Sequence, residues 1–192
     1  MPCARPLHRI LWMLAVAWLV QAGPAFAQDP LTQRLETRHT VILYDSMDTL
    51  SRFESSVDYA PEGFRFGGIF SAAPEGEDLL QAVAQKVDAL YERVQEILDM
   101  RGKLEKKVTL RVYPDKDALA RVYQAFTGSP SLRVRAWYIY ERNTVYLNSR
   151  DVHDGMVAHE VAHAIIDHYL MVRPPRATAE ILARYVDEHL DW

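Results

Sequence analysis

Eleven consecutive residues constrain this chain more than any others: Val157-Ala158-His159-Glu160-Val161-Ala162-His163-Ala164-Ile165-Ile166-Asp167. The stretch contains His-Glu-x-x-His, and its surroundings read as a helix. On a helix His159 and His163 stand roughly 40° apart around the axis and about 6 Å apart along it, so they share one face. Two imidazoles so placed reach one zinc ion at near-tetrahedral angles. Glu160 leaves the helix in another direction. It is poorly placed as a third ligand and well placed to take a proton from a water beside the metal. A plain surface helix with two histidines has the same five residues, so the context must decide.

The context begins with a leader. Arg5 and Arg9 precede the apolar run from Ile10 to Val20, and Gly23-Pro24-Ala25-Phe26-Ala27 ends in the small-x-small pattern of a cleavage site. This predicts a signal peptide over residues 1–27 and an exported protein, periplasmic or secreted. The apolar run of 11 residues is short of the ~20 needed to span a bilayer. No second long apolar stretch follows, so no membrane partner is expected after cleavage. The single cysteine, Cys3, lies in the leader, which leaves the mature chain without thiol chemistry or disulfides. Losing Arg5 and Arg9 moves the formal net charge from −4 to −6. With no basic run in addition, nucleic acid is a poor partner. Residues 28–192 are one domain's length.

Along that domain, residues 28–36 read as a polar lead-in. Thr40 to Tyr44 is β-branched and aromatic, a first strand. Leu50 to Val57 reads either as a short helix or as turns. Phe64 to Phe70 alternates before Gly67-Gly68 and is a candidate edge strand, followed by a loop over Ala72 to Glu77. From Asp78 to Met100, Leu79, Leu80, Val83, Val87, Leu90, Val94, Ile97 and Leu98 recur at three- and four-residue spacing, which predicts a long amphipathic helix closed by Arg101-Gly102. Lys107 to Tyr113 is the clearest strand. A helix capped by Asp115 or Asp117 follows and stops at Gly128-Ser129-Pro130. Ala136 to Tyr140 and Thr144 to Asn148 form a hairpin turning at Asn143. The histidine helix then starts behind Asp151 or Asp154 and ends near Leu170, and a last helix covers about Ala177 to Leu190. The order predicts an α+β fold, a small mixed sheet covered by helices.

A catalytic zinc site needs a third protein ligand. A pattern with a third histidine on the same segment fails, because Ile166 and Tyr169 stand where its glycine and histidine belong. His168 faces away from His163. A glutamate on the next helix fits instead. Glu180 is seventeen positions after His163, and Pro174-Pro175 lets the chain reverse. The other role for Glu180 is a first-turn carboxylate facing the helix dipole.

His159-Glu160-Val161-Ala162-His163, Pro174-Pro175 and Glu180-Ile181-Leu182-Ala183-Arg184-Tyr185-Val186 together resemble the gluzincin pattern of the peptidase MA clan. There the glutamate helix often reads Glu-Gly-x-Ala-x-Tyr, and this chain has Ile181 at the glycine. The small size is similar to minigluzincin-like and peptidase-MA-like secreted proteins. The match covers about Thr144 to Val186. The resemblance implies a zincin-like fold and a zinc metallopeptidase acting on a peptide or protein, with His159, His163 and Glu180 as ligands. Glu160 is then the general base that activates water and protonates the leaving amine. The alternative is a zincin-fold binding module without turnover, or a peptidase activated by a partner.

Further roles are candidates only. Asp167, one turn beyond His163, is placed either to orient that ring as a carboxylate behind the ligand or to face solvent. Arg135 to Tyr140 is the candidate edge for an extended substrate. Only twelve residues follow Glu180. The oxyanion donor that larger gluzincins carry downstream is therefore sought upstream, among Tyr138, Tyr140 and Tyr146, since His189 points elsewhere. Arg184 shares the Glu180 face, placed to bind a substrate carboxylate or to pair with Asp187.

Overall fold

The computed structural model describes residues 30–59, 75–102, 104–129 and 133–190. The predicted leader and the candidate strand at 64–70 lie outside them. The described residues form a mixed α+β fold with one five-stranded sheet and five α-helices. In chain order the elements are β1 (Gln33–Glu36), β2 (Thr40–Tyr44), α1 (Met47–Ser56), α2 (Gly76–Ile97), β3 (Val108–Tyr113), α3 (Lys116–Thr127), β4 (Ala136–Ile139), β5 (Thr144–Asn148), α4 (Asp154–Tyr169) and α5 (Arg176–Glu188). Among the described residues no helix is long and apolar enough to cross a membrane.

The sheet order is β1-β2-β3-β5-β4. The three central strands run parallel, and β1 and β4 are antiparallel edges. Alternation sorts side chains onto two faces. Ile42, Val108, Leu110, Val112, Val145 and Leu147 enter the main core with α1, α2, α4 and α5. Tyr113 and Tyr146 enter a smaller cluster on the α3 side, with Leu119 and the flanking Trp137. Tyr146 stacks flat on Trp137 there, centroids 4.6 Å apart. Full burial of a side chain such as Leu90 or Leu110 stabilises by about 1.5–3 kcal/mol.

Helix α2 bears out its periodicity, burying Leu79, Val83, Val87, Leu90 and Val94. It stops earlier than Arg101-Gly102, because Asp99 makes the left-handed turn at φ 52°. The segment before Thr40 is more than a lead-in. Gln33 to Glu36 pairs with β2, and the connecting turn is held from α2. Asp88 accepts from Thr37 Oγ1 at 2.6 Å and from the amides of Arg38 and His39 at 2.9 and 3.1 Å. Leu50 to Val57 resolves mostly as helix α1, capped by Ser46 and braced at its far end by Lys86, which donates to the carbonyls of Glu54 and Val57. Asp115 caps α3, and Gly128 closes it at φ 71°.

Two helix starts differ from expectation. His153 caps α4 through Nδ1, which accepts from the Met156 amide at 3.3 Å, so neither Asp151 nor Asp154 is the cap. Asp154 instead accepts from the Asp58 amide at 2.7 Å, tying the end of α1 to α4. Helix α5 begins at Arg176, and its first turn holds no acidic residue. Glu180 therefore sits in the second turn rather than serving as a first-turn carboxylate.

Candidate metal centre

Helix α4 is apolar almost all round. Val157, Ala158, Val161, Ala162, Ala164, Ile165 and Ile166 are buried, which locks its rotation about its own axis. Helix α5 packs beside it through small residues, with Ala179 and Ala183 buried in the same core. At the other end of the pair the contact is close enough that a methyl group on Gly155 would strike Asp187 Oδ1. The antiparallel pair fixes which residues of α5 oppose the two histidines.

The structure brings His159, His163 and Glu180 together, each offering one ligand atom within 4.8 Å of the others. Glu180 straddles the two rings. Its Oε1 lies 3.6 Å from His159 Nε2, and its Oε2 lies 3.5 Å from His163 Nε2. Bonds of about 2.0–2.1 Å in a tetrahedral arrangement separate ligand atoms by about 3.3 Å, so these spacings fit one small cation. The two rings stand nearly perpendicular, at 76° with centroids 5.0 Å apart. Two imidazoles and one carboxylate suit zinc, and they suit other divalent first-row ions as well.

Electrostatics favour the neutral form of His163. Burial, and next the charge on His159, lower the pKa of His163, against the opposing pull of Glu180 and Asp167. The neutral ring is the ligating form. Glu160 is pushed up to about 7, chiefly by burial and next by the negative charge of Glu180. The backbone of Tyr138, beside the carboxyl, partly offsets this. That contact places the Glu160 carboxyl against β4, the free edge of the sheet. Arg135 to Tyr140 was the expected edge, and Ala136–Ile139 forms it.

Asp167 lies one turn beyond His163, and the structure pairs it with Arg173. The guanidinium donates through Nε at 3.1 Å and approaches through NH2 at 3.0 Å. The carboxylate is only 4% exposed. Among the described residues no hydrogen bond joins it to His163. Arg173 also lies over the Tyr140 ring at 4.3 Å, and His168 stacks on the same ring at 5.0 Å. The sequence gives no sign of this clasp, because Arg173 sits in the loop between helices.

The three upstream tyrosines go to three different places. The Tyr138 hydroxyl is buried without a hydrogen-bond partner among the described residues, and burial and the Asp167 charge raise its pKa. Tyr140 belongs to the clasp, and Tyr146 lies on the opposite face of the sheet. His189 stacks on Tyr185 at 4.0 Å, away from the ligands. Arg184 Nε reaches Glu180 Oε1 at 4.0 Å, while Asp187 lies against Gly155. Comparison of the chain with protein-family models, curated proteins and solved structures found no match.

Proposed function

We propose that this chain is an exported zinc-dependent peptidase of zincin-like, gluzincin type. The observation that carries the reading is the convergence of His159 Nε2, His163 Nε2 and Glu180 on one point, with Glu160 beside it. His159, His163 and Glu180 would hold the ion. When bound, zinc polarises the scissile carbonyl and lowers the pKa of an attacking water.

The chain's own residues supply the rest. Glu160, with a carboxyl poised near neutrality, accepts a proton from the attacking water at a carboxylate oxygen and returns it to the leaving amine. The open edge of β4 offers backbone groups to an extended peptide, adding it as a further strand. The Tyr138 backbone of that same strand lies beside the Glu160 carboxyl, so the edge brings the peptide alongside the base.

Metal analysis of purified protein tests the centre directly. One equivalent of zinc is expected, and Glu180→Ala is expected to lose it. No retained metal after gentle preparation would remove the basis of the reading. Hydrolysis of a broad peptide library by wild type and not by Glu160→Gln, with zinc present in both, is the expected result for a peptidase. Equal behaviour of the two would leave a zinc-holding binding module.

A further inference from the structure

Helix α5 carries two arginines on the face that presents Glu180. Arg176, Glu180 and Arg184 follow one another at four-residue spacing, so their side chains rise along one stripe of the helix. Both arginines are exposed. Arg184 touches Glu180 only at 4.0 Å, the outer limit of an ion pair, and its side chain is 69% exposed. Arg176 opens α5 one turn before Glu180, on the same side of the helix.

The nearby carboxylates do not neutralise this pair. Asp187, the residue one turn beyond Arg184, lies against Gly155 at the start of α4. Asp167 is clasped by Arg173. Among the described residues Arg176 has no ion-pair partner, and Glu180 is the sole partner of Arg184. If Glu180 serves a metal, its charge is drawn to the ion and Arg184 is left without a close counter-charge. An arginine offers a planar fork that matches a carboxylate in two parallel hydrogen bonds.

We propose that Arg176 and Arg184 form a carboxylate clamp bordering the His159–His163–Glu180 centre. The favoured ligand is then a peptide that places a carboxylate within one or two residues of the metal. The chemistry is shared by a free C-terminus and by an Asp or Glu side chain. The proposal rests on the peptidase reading and adds its substrate class.

The test uses zinc-loaded Glu160→Gln protein, so that peptides are bound and not consumed. Three N-acetylated hexapeptides of one sequence serve as probes: the free acid, the C-terminal amide, and the amide with one internal Gln replaced by Glu. Affinity is read by calorimetry and zinc by metal analysis. A carboxylate-bearing probe is expected to bind about tenfold more tightly than the plain amide. Adding Arg176→Gln and Arg184→Gln together should erase that preference while zinc content and the circular dichroism spectrum stay unchanged. Preference for the free acid alone assigns the clamp to a C-terminus, and preference for the Glu-bearing amide assigns it to a side chain. Equal affinities, or no binding by any probe, with zinc bound overturn the clamp and leave the metal centre standing. A preference that survives the double substitution also overturns it. Absence of zinc overturns the centre and the clamp together.

Discussion

Glu160 and Asp167 sit seven residues apart on α4, two turns along one face, yet they meet opposite surroundings. Both lie near Tyr138 of the edge strand. Its backbone helps hold down the pKa of Glu160, and Asp167 raises the pKa of its hydroxyl. Asp167 has a cation within 3.0 Å. Glu160 has burial and next the negative charge of Glu180 against its ionised form, and is pushed up to about 7. One carboxylate is therefore a pin between α4 and the loop before α5. The other is held near neutrality, because burial and the charge of Glu180 outweigh the pull of the Tyr138 backbone. The difference lies in the partner the fold supplies and not in the residue type.

The widest expected gap between the two is in turnover. Glu160→Gln should cost about 10²–10⁴-fold in peptide hydrolysis, the range for a lost general base. Asp167→Asn should cost no more than about tenfold, the low end for a group near a metal's ligands, because the carboxylate is held by Arg173 and not by His163. Steady-state kinetics on zinc-loaded proteins decide this. Comparable losses in both would dissolve the distinction and make Asp167 a working part of the centre.

Stability should separate them with opposite signs. Asp167→Ala leaves Arg173 without its partner and opens the loop, at a cost of about 1–3 kcal/mol in urea unfolding. The cost is limited because the Arg173 side chain is 52% exposed. Glu160→Gln should stabilise the metal-free protein by up to about 3 kcal/mol at pH 8. The sign follows from the raised carboxyl pKa. The folded state holds that proton more tightly than the unfolded chain, so wild type pays a penalty that grows as pH rises from 4.5 through about 7. At pH 4.5 and below the two proteins should unfold alike. A destabilised Glu160→Gln at pH 8 would show that the carboxylate is structurally paired after all.

The smallest expected effect concerns His168. Burial lowers its pKa, against the pull of Asp167. The unfolded chain takes up the proton first, so stability should decline as pH falls from 6.5 through the lower folded value. In His168→Gln that slope should flatten. An unchanged slope would place the pH sensitivity elsewhere than in the clasp.

The elements were legible where a single periodicity governs them. The face of α2 and the alternation of β3 follow from residue spacing alone, because each needs only one face to bury. The start of α4 was not legible, since Asp151 and Asp154 are better-known caps than His153. The segment Gln33–Glu36 showed no apolar alternation because it is an exposed edge, held by its pairing with β2 and by Asp88 from a distant helix. Glu180 was found from the sequence because proline punctuation and helix spacing are local signals.

The sequence by itself determined that His159 and His163 share a helix face, that Glu160 leaves it, and that a second helix follows Pro174-Pro175. Helical geometry is short-range and repeats without reference to the rest of the chain. Tertiary structure decided the remainder. It set Glu180 astride both imidazoles, gave Asp167 to Arg173, turned Tyr146 to the far face of the sheet, and left Arg184 beside Glu180. Those outcomes depend on how α5 docks on α4 and how β4 lies beside Glu160. Docking follows from the summed burial of apolar faces, which no local spacing encodes.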